Sequence, residues 1–244
     1  MHSSSLLKRR LIGLDVFKGW AIVFMMVFHI TFDLNYFHFI SVAVHKEIFW
    51  VNFRYLIVAM FLVSVGISLT LVHSPTILWS KMFKRTRILG AVSLVITVAT
   101  YFVFPHSWVY FGIIHFILLA SWLGLPFLPY PRLALGTAIV ILIGSAKGWL
   151  HTQWLFALLK TPLHLPPTYT EDVLHPFPWF AAVLIGIAMT QYGWSYTFFK
   201  HTFWTSKNKF NTLLSFLGRH ALLVYLIHLP LFFGLFMLIY KLKY

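Results

Sequence analysis

Long apolar stretches alternate along this chain with short segments that carry most of its charge. Seven of them, near 14–36, 48–72, 88–104, 108–125, 133–150, 177–193 and 216–240, are long enough, or nearly so, to cross ~30 Å of hydrocarbon at ~1.5 Å per helical residue. Inside lipid every backbone N–H and C=O must be satisfied within the protein, which leaves helices and closed barrels as the spanning structures. Near-continuous apolar runs of this length are helical, whereas barrel strands are shorter and alternate in polarity. The pattern predicts an all-α, polytopic integral membrane bundle of about seven transmembrane helices. Residues 1–244 form one transmembrane domain, and an eighth, re-entrant segment fits within 151–165.

Composition sharpens this picture. Only 10% of the residues are charged and 60% are hydrophobic, against roughly 25% charged in soluble domains, so the chain lacks the polar residues to cover a water-facing surface. The absence of cysteine excludes a disulfide scaffold and any thiolate-held zinc or iron–sulfur centre. The net charge of +14 would suggest nucleic acid in a soluble domain. Here the cations sit between apolar runs and read as topology signals, so no nucleic-acid partner is expected.

With the N-terminus inside, Lys8, Arg9, Arg10, Lys18, Lys81, Lys84, Arg85, Arg87, Arg132, Lys200, Lys207, Lys209 and Arg219 face the cytoplasm, 13 of the 19 cations. The other six, Lys46, Arg54, Lys147, Lys160, Lys241 and Lys243, lie outside, as the positive-inside rule requires. Lys8, Arg9 and Arg10 before an apolar run resemble a secretory signal, but Asp15 and Lys18 interrupt its start and no small-residue cleavage pattern follows, so it is read as a retained helix. The longest outer segment, 150–176, holds Pro162, Pro166, Pro167, Pro176 and the amphipathic stretch WLFALLK. It is expected to form a cap loop.

Ionisable residues inside a membrane helix cost at least ~2.5 kcal/mol near its centre and are functional candidates for that reason. On a wheel of about 100° per residue, Asp15, Lys18, His29 and Asp33 fall within about 60° of one another, a stripe that cannot face lipid. His29 lies 11 residues beyond Lys18, or about 16 Å deeper. Arg54, His115 and His228 fall at overlapping depths on three further helices, which predicts a shared site in the outer half of the membrane. The chemistry on offer is proton transfer. His29, with Asp33 at i+4 to orient it, is a general base, and His115 is a second catalytic candidate. Arg54 suits an anion or a developing oxyanion. Glu171, Asp172 and His175 precede Trp179 in EDVLHPFPWF, either as a helix cap with an interfacial aromatic anchor or as a completion of the outer site. His228 stands near Pro230 in the last run. No metal is expected, because no H-E-x-x-H or comparable spacing occurs.

The segments GLDVFKGWAIVFMMVFHITFDL (13–34), YFGIIHF (110–116), EDVLHPFPW (171–179) and FLGRHALLVYLIHLPL (216–231) resemble, in this order, the bacterial membrane family related to heparan-alpha-glucosaminide N-acetyltransferase. The first helix is also similar to the wider transmembrane acyltransferase group, whose signature is a basic residue, ten positions and a histidine. Lys18 and His29 match that spacing, with Lys where Arg is usual. The resemblance implies transfer of an acyl group, acetyl-like, from cytoplasmic acyl-CoA to a sugar or lipid-linked acceptor at the outer face of a bacterial inner membrane. The lysosomal enzyme is longer, and its catalytic histidine follows its first helix, where this chain carries His38.

On this reading Asp15, Lys18 and Arg219 form the inner mouth for the donor's phosphates, His29, Asp33 and His115 carry the chemistry, and Arg54, Asp172, His175, Trp179 and His228 bind the acceptor. Membrane lipids are the surroundings, and a homodimer is compatible with the sequence. Two other classes share these features: a proton-coupled transporter or flippase, which would show internal repeats, and a non-catalytic subunit, in which Asn or Gln would replace His29 and Asp33 without loss.

Overall fold

A computed structural model describes residues 11–166 and 173–243. Among them every regular element is helical: α1 (Ile12–Tyr36), α2 (Ile48–His73), α3 (Trp79–Val103), α4 (Ile113–Gly124), α5 (Pro131–Ala146), α6 (Gln153–Lys160), α7 (Pro176–Gln191), α8 (Trp194–Lys200), α9 (Thr202–Thr205), α10 (Lys209–Arg219) and α11 (Ala221–Lys243), with a 3₁₀ turn at Leu125–Phe127.

Four helices, α1, α2, α3 and α11, are long and apolar enough to cross a membrane, while Ile113–Phe127, α5 and α7 are shorter apolar helices. The seven apolar runs thus appear as four helices of spanning length and three shorter ones, and backbone chemistry explains the difference. Pro131 stands at the first position of α5, and Gly148, at φ +74°, ends the turn after it. Pro176 and Pro178 hold the start of α7, and Gly193, at φ +79°, follows its end. Proline suits a helix start, and a left-handed glycine terminates a helix without steric penalty. The last apolar run is also not one helix. It breaks at His220, leaving α10 as a separate amphipathic helix before α11.

The chain forms two compact units. A terminal unit contains the described residues of Arg9–Phe61 and Tyr196–Tyr244, and a central unit those of Leu62–Ser195, so that α2 contributes to both. In the terminal unit α1 packs against α10, α11 and α9. Its core of Ile22, Met25, Phe28 and Ile57 is covered by Phe24, Trp50, Phe53, Leu217, Val224 and Tyr225. Further along, His228 meets His29, and Phe233 meets Tyr36 and Phe37, so α11 runs alongside α1 in the same direction. The start of α2 runs the opposite way, with Trp50 on Phe28 and Phe53 on Phe24.

In the central unit α7 packs on α5 and α4, and α3 on α4. The expected cap segment holds α6, whose Phe156 ring inserts between Phe111 and His175. Its outward face presents Trp154 and Leu158, and the described residues of 151–165 hold this eight-residue helix and the turn that follows it.

Candidate functional site

Polar side chains in the terminal unit gather at two levels of α1. At the first level Asp15, 6% exposed, is paired with two cations. Lys18 Nζ lies 4.0 Å from its Oδ1 and Arg219 Nε 3.7 Å from its Oδ2. The Lys18 pair is intrahelical (i,i+3), whereas the Arg219 pair joins α1 to the end of α10. The three residues expected at the inner end of the helix are thus brought together as an Asp15-centred cluster. Its carboxylate offsets one of the two positive charges.

The second level lies about 16 Å further along the helix. There the His29 and His228 rings meet edge to face, 4.9 Å between centroids. His228 is 3% exposed, and its Nδ1 lies 2.7 Å from the Tyr225 carbonyl oxygen and 3.2 Å from that of Val224. Its Nε2 is buried without a hydrogen-bond partner among the described residues. His29 contacts the rings of Phe28 and His228.

Asp33, 4% exposed, stands one turn beyond His29, and its Oδ2 is likewise buried without a partner among the described residues. The hydrogen bond expected between His29 and Asp33 is not formed. An i+4 spacing brings two Cβ atoms within reach on a helix, but the His29 ring turns toward α11 instead. Arg54 stands on α2 beside Trp50 and Phe53 and over the Tyr55 ring, 5.8 Å from its centroid.

His115 and His175 belong to the central unit. The His115 ring is committed at both nitrogens: Gly112 N–H donates to Nδ1 at 3.3 Å, and Nε2 lies 3.0 Å from Thr97 Oγ1, which itself donates to the Val109 carbonyl. A ring that accepts at Nδ1 carries its proton on Nε2, so His115 acts here as a cap for the start of α4 and offers no lone pair. His175 caps α7, with Nδ1 3.3 Å from Thr152 Oγ1 and the Phe156 ring edge to face at 5.1 Å. Burial holds its pKa below the ordinary histidine value. Trp179 lies in the first turn of α7. Glu171 and Asp172 lie outside the described residues. His38 is exposed in a left-handed turn at φ 60° after α1.

The structure adds a cleft of about 900 Å³ in the central unit that none of the expected site residues lines; His73, Trp79, Trp122 and Gln191 are among its walls. Beside Trp122, Ser121 Oγ receives a hydrogen bond from Arg85 Nε at 3.0 Å. Four cations, Lys81, Lys84, Arg85 and Arg87, occupy the first third of α3, while residues 48–170 contain no carboxylate. That long acid-free interval was the available signal. Among the described residues no group of three or more His, Asp or Glu side chains is placed to hold a metal ion.

Long apolar helices with titratable groups buried along one of them define a multi-pass membrane protein with a polar interior. The chain belongs to the family described as heparan-alpha-glucosaminide N-acetyltransferase, catalytic, whose model matches residues 10–230. No curated protein and no solved structure matches it.

Proposed function

We propose that this protein is a membrane acyltransferase that moves an acetyl-like group from acyl-CoA on the cytoplasmic side to a sugar or lipid-linked acceptor at the outer face. The observation that carries the reading is the contact of half-buried His29 with buried His228 inside a span of apolar helix. Two neutral imidazoles in such a place are costly unless they move a proton or bind a ligand, and family membership supplies the acetyl-transfer context. At the other level of α1, Lys18 and Arg219 offer cations for the donor's phosphates once Asp15 has taken its share. Arg54 supplies a charge for an anionic acceptor group or an oxyanion. The donor is a substrate, and no resident metal enters the scheme.

An N-inside, seven-crossing arrangement in a bacterial inner membrane is supported by the cation distribution and by the parallel course of α1 and α11. Two parallel spanning helices require an odd number of crossings between them, and α2, α3, α4, α5 and α7 supply five. The re-entrant alternative for 151–165 adds nothing to that count.

The test is release of CoA thiol from acetyl-CoA by purified protein in detergent. With no cysteine in the chain, a thiol reagent reads the product without background. Saturable binding weakened at least tenfold by Lys18→Ala, with CoA release abolished when His29 and His228 are both replaced by Ala, supports the reading. Failure of every acyl-CoA to bind overturns the donor assignment.

A further inference from the structure

We propose that His228, rather than His29, is the group that accepts the acceptor's proton, an assignment that rests on the acyltransferase reading. His228 Nδ1 approaches two backbone carbonyl oxygens, Tyr225 at 2.7 Å and Val224 at 3.2 Å, and a carbonyl oxygen can only accept. The proton of the neutral ring is therefore on Nδ1 and the lone pair on Nε2. That nitrogen is buried and has no partner among the described residues, which is unfavourable unless a ligand's O–H or N–H comes to meet it. The carbonyls of the turn before Pro230 thus do for His228 what a carboxylate does in a catalytic triad: they hold the tautomer and the ring plane.

His29 has no equivalent device. No hydrogen bond among the described residues selects which of its nitrogens carries the proton, and its ring lies 4.9 Å from that of His228. Two imidazoles this close cannot both hold a second proton without placing like charges in a low-dielectric interior. The first proton goes to the ring whose cation is better supported. Protonation of His228 at Nε2 turns its Nδ1–H bonds to Tyr225 and Val224 into charge-assisted ones, and His29 gains nothing comparable. Asp33, one turn along α1, makes no hydrogen bond to His29, so no carboxylate orients that ring as the Tyr225 and Val224 carbonyls orient His228.

The acceptor hydroxyl or amine loses its proton to His228 Nε2 as its heteroatom bonds to the thioester carbonyl carbon. The tetrahedral intermediate collapses with cleavage of the C–S bond, and the departing thiolate takes the proton back from Nε2. CoA thiol and the acylated acceptor leave, and the ring returns to its starting tautomer with Nδ1–H untouched. His29 remains the edge-on neighbour that positions the His228 ring.

His228→Asn separates these roles, because the asparagine amide still donates to the Tyr225 and Val224 carbonyls while the basic nitrogen is lost. In full-length protein with acetyl-CoA and glucosamine as probes, His228→Asn is expected to lower CoA release at least 100-fold. Its acetyl-CoA affinity should stay within twofold of wild type and its melting temperature unchanged. His228→Gln should lose activity to the same extent, and His29→Asn less than tenfold. A readout independent of turnover is ¹⁵N NMR of histidine-labelled protein, with His228 assigned by difference against His228→Asn. The expected spectrum has a protonated Nδ1 and an unprotonated Nε2. Against an active wild type, His228→Asn within tenfold of normal activity, equal losses in both asparagine variants, or the opposite tautomer overturns the assignment alone. A wild type that releases no CoA overturns the acyltransferase reading, and the assignment with it.

Discussion

Asp33 Oδ2 is a buried carboxylate oxygen without a hydrogen-bond partner among the described residues. Leaving such a group unsatisfied costs about 1–3 kcal/mol, more when it is charged. Asp33→Asn, which keeps the shape and removes the charge, is expected to leave the melting temperature in detergent unchanged or raised. A fall of several degrees would mean that the carboxylate has a stabilising partner. At this scale much of the candidate site was legible beforehand. Asp15, Lys18, His29 and Asp33 lie on one stripe by helical period alone, and the structure buries Asp15 and Asp33 as that stripe requires. The partners were not legible. That Asp15 takes Arg219, that His29 meets His228 rather than Asp33, and that His115 spends both nitrogens on Thr97 and Gly112 depend on rotamers and neighbours that no periodicity encodes.

The contact of α1 with α10 depends on two glycines. A Cβ on Gly19 would collide with the Leu214 carbonyl, and one on Gly218 with the Asp15 carbonyl. The α1–α10 crossing is therefore backbone against backbone, which is also what lets Arg219 reach Asp15. Without a hydrophobic drive between helices in lipid, such small-residue contacts supply the packing. Gly218→Leu is expected to cost more than the ~1–3 kcal/mol of ordinary core overpacking, because backbone atoms cannot move aside as side chains do. The check is thermal unfolding and size-exclusion behaviour in detergent, with Gly234→Leu as control, since a Cβ there meets nothing within 4 Å. The existence of α1, α2 and α3 could be read from their apolar runs. The break at His220 was only partly legible: Gly218, Arg219 and His220 interrupt the apolar run there, but a short polar interruption does not by itself separate two helices from one helix with a polar turn. Packing of Leu214 and Gly218 on α1 defines α10 as a helix of its own.

For the whole chain the open quantity is orientation, and the natural absence of cysteine makes it measurable. Single replacements at exposed loop positions, Ser206→Cys between α9 and α10 and His164→Cys after α6, should behave oppositely toward a membrane-impermeant maleimide. In intact cells His164→Cys is expected to label and Ser206→Cys to label only after permeabilisation; the reverse result would invert the topology. The sequence by itself determined that this is a helical, multi-pass membrane protein. Hydropathy, run length and charge placement are one-dimensional quantities, and the bilayer acts on them residue by residue. Its family was likewise legible, in four ordered motifs. Only the tertiary structure decided which buried polar groups face one another. The pairing of α1 with α11, separated by most of the chain, and the carbonyls of Tyr225 and Val224 that orient His228 arise from helix crossing and ring rotation, and these are properties of distance in space.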